Sequence, residues 1–298
     1  MRVVDYFGST PTISFEIIPP LRGDSINKVI SLLDELAKYK PPFIDVTSHS
    51  AGINSLKKRP GTLGICVLIQ HHYKIDAVPH VLCKGFSREE TEDFLLDVSY
   101  LGITNLMALQ GDRHEKIREG RTSNTYAVDL VRQVQELNQG KYLHSENSAA
   151  STNFCIGVAG YPEKHAAATD IATDLKHLKQ KVNAGASYIV TQMFFDNSHY
   201  LNFVEQCRQK GITVPIIPGL KILTSLKQLT IIPPTFNIEI PSDLAREVNA
   251  APAHALEIGV AWASQQAQQL LDRGAPGIHL YVMNDAKPVH ALLQTMGA

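Results

Sequence analysis

The chain has 298 residues, and its 28 lysines and arginines nearly balance its 29 aspartates and glutamates, giving a formal net charge of −1. This balance argues against a nucleic-acid-binding surface, an acidic tail or a polybasic membrane patch, so the partners that we expect are small molecules. The start of the chain lacks the apolar core of a signal peptide, and no run of about 18 apolar residues exists to span a bilayer. The sequence therefore predicts a soluble, cytoplasmic protein.

Short runs rich in β-branched and aromatic residues recur along the chain and predict strands. They lie at 12–18, 42–48, 78–83, 104–111, 154–160, 188–195, 214–220 and 277–284. Segments with helical periodicity alternate with them, and several end at a glycine just before the next strand, which is typical of a helix C-terminus. These segments lie at 25–39, 87–102, 127–139, 168–185, 198–211 and 251–274.

Regular alternation of strand and helix predicts parallel strands joined by right-handed crossovers. Eight such units in a chain of this length favour a closed (β/α)8 TIM barrel of the α/β class, in a single domain over 1–298. Two segments interrupt the alternation: a polar excursion at about 140–153, and an extended seventh βα unit at about 231–252. The prolines of the second segment argue against one continuous helix there.

The cysteines and the His71–His72 pair show no spacing typical of a zinc site, so we expect no metal. We expect the four cysteines to be small buried apolar residues in a reducing compartment. They are Cys66, Cys83, Cys155 and Cys207.

Polar residues at the carboxyl ends of the predicted strands are the first candidates for a site, because barrel enzymes build their active sites there. Taken singly, each could simply satisfy a backbone group, and that interpretation stays open. The candidates are Glu16, Thr47, Ser48, His49, His80, Gln110, Asp112, Tyr161, Gln192, Tyr281 and Asn284.

Glu16 is the most unusual of them, since it interrupts the apolar run of "TISFEIIPP". Strand alternation places Glu16 on one face of the strand and Phe15 and Ile17 on the other. Apolar surroundings would raise the pKa of the Glu16 carboxyl group. Paired with an ionised Asp112, a protonated Glu16 would suit a reaction that forms a cation on a nitrogen heterocycle. Two rim carboxylates paired with loop cations remain the alternative.

A phosphate-binding loop of standard type is missing, because neither GxxxxGK[ST] nor GxGxxG occurs between a strand and a helix. A bound dinucleotide would have to be held in another way. Candidate phosphate partners are His165 and the lysines Lys176, Lys179 and Lys181, although the same helix also has the pattern of a solvated face.

Several blocks, in order and spanning about Ile13 to Asn284, together resemble the 5,10-methylenetetrahydrofolate reductase family. They are "SFEIIPP", "FIDVTS", "PHVLC", "ALQGD", "TYAVDLV", "AGYPEKH", "DLKHLKQKVNAGASYIVTQMFFD" and "IIPGL". The resemblance implies an FAD-containing barrel in which NADH or NADPH passes hydride to the flavin and leaves. Methylenetetrahydrofolate then takes its place and is reduced to 5-methyltetrahydrofolate.

The resemblance also implies roles for single residues. Glu16 would be the general acid that protonates N5 of the folate, and Asp112 would orient the folate and tune the flavin. Gln192 and Gln228 would contact substrate. The positions implied to bind FAD are Thr47, His80, Gln110, Gly111, Asp112, Tyr126, Ala127, Tyr161, His165, Asp174 and Lys181.

At several positions the chain departs from the pattern of its relatives. Gln110 stands in place of an arginine, Ser48 in place of a tyrosine, and Asp285 in place of an arginine that meets the folate. On the helix before Lys181, His177 and Gln180 stand where relatives have an asparagine and an arginine. Later in the chain, Ile232 stands where some relatives have an aromatic residue that stacks on substrate.

Two further expectations follow from the resemblance. The chain ends just after the barrel, so we expect it to lack the S-adenosylmethionine-responsive domain of the larger eukaryotic enzymes, and family habit suggests a homo-oligomer. Two alternatives stay open: a barrel lyase or aldolase using Lys221 as a Schiff-base amine, and a barrel that only binds folate or flavin.

Overall fold

A computed structural model describes residues 1–8, 10–48, 59–111, 122–144 and 149–297 of the protein. Its β-strands form a nine-stranded sheet in which every pair of neighbours is parallel. They are β1 (Thr12–Ile17), β2 (Phe43–Val46), β3 (Asp76–Leu82), β4 (Asn105–Leu109), β5 (Cys155–Gly160), β6 (Tyr188–Thr191), β7 (Ile216–Ile217), β8 (Gly219–Leu220) and β9 (Gly277–Met283).

The described helices follow the strands in alternation, as the sequence predicts. They are α1 (Asn27–Ala37), α2 (Thr62–Leu68), α3 (Arg88–Tyr100), α4 (Ala127–Asn138), α5 (Ile171–Asn183), α6 (Asn197–Gln209), α7 (Gln228–Phe236), α8 (Ser242–Ala250), α9 (Ala255–Asp272) and α10 (Lys287–Met296). The extended seventh unit contains two helices, α7 and α8, so the prediction that it is not one continuous helix is confirmed. The described part of the polar excursion at 140–153 forms neither helix nor strand.

Barrel closure depends on the seventh predicted strand, which Pro218 divides into β7 and β8. Strand β7 pairs with β6, and β8 pairs with β9, which in turn pairs with β1. The carbonyl oxygen of Pro218 still accepts a hydrogen bond of 2.9 Å from the amide of His279. The nine strands are therefore the eight strands of a barrel, one of them interrupted, and the predicted TIM-barrel fold is confirmed.

Alternation along each strand sorts the side chains into an outer and an inner set. On β1, Phe15 and Ile17 belong to the large apolar core beneath the helices. The inner set forms a second apolar cluster that includes Phe43 and Tyr188, with Tyr6 and Phe7 of the N-terminal segment packed against it. The amino-terminal half of the barrel interior is thus a closed, apolar floor.

A third apolar cluster lies under α7 and α8 and joins them to the end of β6 and the start of α9. It gives the extended seventh unit a core of its own. Ile232 of α7 is only 5 % exposed and belongs to this cluster. Ile232 therefore serves to pack this cluster, and its apolar side chain is explained without any stacking on substrate.

The minor predictions on cysteine are confirmed: all four are buried and unpaired. His71 directs its Nε2 atom at the carbonyl oxygen of Leu101, 2.9 Å away, which is a packing role.

Close packing of the floor predicts the effect of Gly157→Ala. A Cβ atom at Gly157 would lie 2.4 Å from Cζ of Tyr188, which is fully buried and cannot move aside. We expect the free energy of unfolding to fall by about 1–3 kcal/mol, the usual effect of overpacking. Urea denaturation followed by circular dichroism measures it.

The matched control is Gly64→Ala, because a Cβ atom at this position in α2 would meet no heavy atom within 4 Å. This change should leave the protein equally stable or raise its stability by up to about 1 kcal/mol, the helix propensity of alanine over glycine. Equal effects of both substitutions would contradict the packing argument.

Candidate active site

Three ionisable side chains meet inside the barrel above the apolar floor. Strand register pairs Glu16 of β1 with Asp45 of β2, and Asp45 with Val78 of β3, so His80, two residues further on, points to the same side. Nε2 of His80 lies 3.4 Å from an oxygen of Glu16 and 3.4 Å from an oxygen of Asp45. The two carboxyl groups therefore face a single imidazole nitrogen.

Burial dominates the acid–base properties of this cluster. It raises the pKa of Glu16 to about 7; His80 and Lys221 oppose the rise, and Asp45 adds to it. Burial also raises the pKa of Asp45 well above its ordinary value and lowers that of His80. Glu16 keeps 14 % of its side chain exposed whereas Asp45 keeps none, so Glu16 is the carboxyl group that a molecule at the mouth could reach.

A β-bulge lies beside Glu16. Register between β1 and β9 shifts there, with Glu16 opposite Tyr281 and Ile17 opposite Met283, and Met283 has a φ of +68°. Bulges near active sites re-aim side chains. This one turns the end of β9 at the point where the acid meets the barrel mouth.

Lys221 follows β8 and brings a cation to the same region. Its Nζ donates a 3.0 Å hydrogen bond to the carbonyl oxygen of Tyr281, and the hydroxyl of Tyr281 donates to the carbonyl oxygen of Thr191 at 2.6 Å. Burial lowers the pKa of Lys221 to about 8, although Glu16 and Asp285 oppose the change. The amine is thus held by the backbone and faces the acid.

A cavity of about 470 Å³ opens at the carboxyl ends of β4 and β5. Seven of the residues predicted to bind FAD line it: Gln110, Tyr126, Ala127, Tyr161, His165, Asp174 and Lys181. The replaced helix positions His177 and Gln180 line it as well. The structure therefore brings together residues that lie up to 71 positions apart in the sequence.

Lys181 and Asp174 give this cavity its charge. Nζ of Lys181 donates to the carbonyl oxygen of Ala159 at 2.6 Å, and the carboxylate of Asp174 accepts from the amide of His165 at 2.8 Å. Burial lowers the pKa of Lys181 to about 8, and the charge of Asp174 opposes that change. The rings of Tyr161 and His165 meet edge to face, with centroids 4.5 Å apart.

A smaller cavity of about 260 Å³ lies beside β3, and Ser48 and His80 both line it. Thr47 next to it has a buried Oγ1 atom without a hydrogen-bond partner among the described residues. Gly111, two residues after the end of β4, has a φ of +85°, a conformation that favours glycine. Three of the residues predicted to surround the flavin ring, Thr47, His80 and Gly111, are thus absent from the lining of the larger cavity.

Four other candidates are placed differently. Asp112 and His49 lie outside the described residues. Gln192 and Gln228 line neither of the two cavities. Gln192 accepts from the amide of Met193 at 2.9 Å, and Gln228 accepts from the amide of Thr224 at 2.7 Å.

Comparison with known proteins resolves the family. Residues 5–297 match the family model described as methylenetetrahydrofolate reductase. The chain belongs to the methylenetetrahydrofolate reductase family.

Curated relatives include both short and long proteins. The 5,10-methylenetetrahydrofolate reductase of Pectobacterium carotovorum is 32 % identical over 96 % of this chain and 90 % of its own length. Methylenetetrahydrofolate reductase 1 of Schizosaccharomyces pombe is 30 % identical over 96 % of this chain but only 46 % of its own. Methylenetetrahydrofolate reductase (NADH) 1 of Arabidopsis thaliana is 29 % identical over the whole chain and 51 % of its own length.

One solved structure supports the fold. It is an uncharacterized protein from Clostridium thermocellum, described as binding two copies of 5-methyl-5,6,7,8-tetrahydrofolic acid. The TM-score is 0.63 at 16 % identity, with 96 % of this chain and 94 % of that chain covered. Within the described ranges of this chain, no helix has the length and apolar character needed to cross a bilayer.

Sequence reasoning overlooked the inner polar residues below Glu16. Asp45 is one, and another is His279, which accepts or donates at Nδ1 with the hydroxyl of Ser14 at 2.8 Å. Burial lowers the pKa of His279 to about 3. The alternation of Phe43 and Asp45 along β2, continued by Thr47 just after its end, was a signal that could have found Asp45, because it puts all three on one face.

Burial of Lys181 predicts how stability depends on pH. A folded pKa of about 8 lies below the ordinary value of 10.5, so the unfolded chain holds more protons between these values and stability rises with pH there. From pH 7.5 to 9.5 the contribution to the free energy of unfolding is at most about 2 kcal/mol. We expect Lys181→Met to remove this increment, as measured by urea denaturation at both pH values.

Lys176→Met on the exposed face of the same helix is the control and should keep the wild-type pH dependence. A pH dependence that is the same in all three proteins would show that Lys181 is solvated.

Proposed function

We propose that this barrel reduces 5,10-methylenetetrahydrofolate to 5-methyltetrahydrofolate, using hydride that NADH or NADPH delivers through bound FAD. The observation that carries the proposal is Glu16: a carboxyl group with a pKa of about 7, buried at the end of β1 but still 14 % exposed. The family match over residues 5–297 supports the same reaction.

The residues present fit FAD. The cavity of about 470 Å³ has the size of a cofactor site, the neighbouring one of about 260 Å³ is smaller, and both are lined by residues from strand ends. Lys181 supplies a buried cation for a phosphate, and Asp174 supplies an acceptor for ribose hydroxyls. Oγ1 of Thr47, which is buried and has no hydrogen-bond partner in the described part of the chain, offers a further polar contact.

Two groups of residues would hold the cofactor. Thr47, His80, Gly111 and Asp112 would surround the isoalloxazine, and the residues of the larger cavity would hold the ribityl, pyrophosphate and adenosine parts. When bound, FAD supplies the relay that takes hydride from the nicotinamide and gives it to the folate. Side chains and strand-end backbone replace the glycine-rich loop that the sequence lacks.

Glu16 would act directly on the folate. Its O–H bond breaks as a proton moves to N10, the bond between N10 and the methylene carbon breaks with its electron pair going to N10, and the iminium carbon left on N5 can accept hydride. The proton goes to N10, and not to the N5 that the resemblance implied, because the product keeps this carbon on N5. A general acid works best with a pKa near the operating pH, and the burial of Glu16 meets this condition. The proton is restored from solvent at the mouth.

Other residues would orient the substrates. Asp112 would position the pterin as an ionised partner of Glu16, and Gln192 and Gln228 would contact substrate; Thr224 occupies Oε1 of Gln228 and leaves its Nε2 to donate. We also propose that one barrel carries the whole activity and self-associates, which size-exclusion chromatography with light scattering tests. The cytoplasmic location stays a prediction from the sequence.

Absorption spectroscopy tests the proposed function. The purified protein should show a flavin band that NADH or NADPH bleaches without air and that methylenetetrahydrofolate restores. A colourless protein that cannot take up FAD would contradict the proposal and favour the lyase that uses Lys221. A band that is bleached but never restored would indicate a barrel that only binds folate or flavin.

Glu16→Gln tests the acid. The variant should keep the nicotinamide half-reaction, because no proton from Glu16 is needed there, and should lose about 10²–10⁴-fold in the folate half-reaction, the usual contribution of a general acid. Stopped-flow absorbance measures both rates. Glu35→Gln on the surface of α1 is the control; equal losses in both half-reactions of Glu16→Gln would refute the assignment.

A further inference from the structure

Asp45 is a buried carboxyl group that the proposed reaction does not use. It is fully buried, and neither of its oxygens has a hydrogen-bond partner among the described residues. An isolated carboxylate in such a place is strongly disfavoured, so the group must hold a proton or share one. Its one ion-pair contact in the described structure is Nε2 of His80 at 3.4 Å.

His80 connects Asp45 to the acid, because the same nitrogen is 3.4 Å from Glu16. At this distance the contacts are electrostatic rather than well-formed hydrogen bonds. Nε2 carries at most one proton, so it cannot neutralise two carboxylates at once. Within this pocket, one of the two carboxyl groups has to keep a proton when the pH is neutral.

The remaining charges around the cluster do not change this conclusion. Lys221 faces Glu16 from the end of β8, and its charge lowers the pKa of Glu16, but the effect of burial on that pKa is larger. Among the described residues, the other titratable groups that face the cluster are acids or a histidine held neutral by burial. They are Tyr281, Tyr188 and Cys66 on the side of Asp45, and His279 beside His80.

We propose that Asp45 is a positioning residue: by competing for the His80 nitrogen from the closed side of the barrel, it keeps the shared proton on Glu16, where the folate can take it. This inference rests on the proposed function. The charge of Asp45 adds to the rise in the pKa of Glu16, and Glu16 is the carboxyl group from which a substrate can take the proton because it is the one exposed to the mouth. Asp45 contacts neither substrate nor cofactor and acts through the other two side chains.

Asp45→Asn tests the role, since it removes the charge and keeps the shape. The folate half-reaction needs protonated Glu16, so its rate falls as the pH rises through the pKa of that group. Without a neighbouring carboxyl group the pKa of Glu16 falls, and we expect the loss of rate to move to lower pH by roughly 1 unit. The nicotinamide half-reaction should keep its pH dependence.

The control is Asp243→Asn on α8, whose carboxylate is 64 % exposed and paired with Arg246. It should reproduce the wild-type profile. Identical pH profiles for the folate half-reaction in wild type and Asp45→Asn would overturn the inference. A wild-type protein that does not reduce folate would instead contradict the proposed function.

A readout independent of activity is the ¹³C NMR titration of labelled aspartate and glutamate carboxyl carbons in the purified flavoprotein, assigned with Glu16→Gln. In wild type, Glu16 should titrate in two steps that it shares with Asp45. A single step near the ordinary glutamate value would overturn the inference. Because this titration uses wild-type protein, it decides the question even where Asp45→Asn does not fold.

Discussion

Closure of the barrel is the constraint on which both the core and the candidate site depend. Once the strands close, every second side chain points into a space too small for bulk water, and its chemistry is set by what fills that space. Phe43 and Tyr188 fill the lower half with apolar surface, and the N-terminal segment covers it. Glu16, Asp45 and His80 occupy the next layer, where the walls still exclude water but the mouth is near.

Desolvation favours the neutral form of every ionisable group in the site, so it raises the pKa of acids and lowers the pKa of bases. It moves Glu16 towards its neutral form and makes Lys181 and Lys221 easier to deprotonate, with pKa values of about 7, 8 and 8. All three groups can therefore change protonation state within a narrow range around neutral pH. A site built in this way responds strongly to any charged molecule that enters it, because one added charge decides the state of each group.

The sequence predicted the fold well because its signals are local. Eight β-rich runs and the glycines after helices placed the strands, but the break at Pro218 was visible only through its two different partners. Polar strand ends identified Glu16 and the residues of the larger cavity. Asp45 was missed because its role depends on strand register. The block "FIDVTS" alone does not indicate that Asp45 lies beside Glu16 in the neighbouring strand. Helices α2 and α10 were missed because their patterns are short.

Pairing of β1 with β9 has a consequence for how the protein is made. The hydrogen bond between Ser14 and His279 joins residues 265 positions apart, and the last strand to be synthesised is the one that closes the wall beside Glu16. Contacts this distant in sequence form late, after the entropy of the intervening chain has been reduced by local folding. A partly folded chain would leave Glu16 hydrated and fully ionised at neutral pH. The raised pKa of Glu16 thus requires the closed barrel, and a folding intermediate would contain Glu16 as an ordinary ionised carboxylate that could not act as an acid.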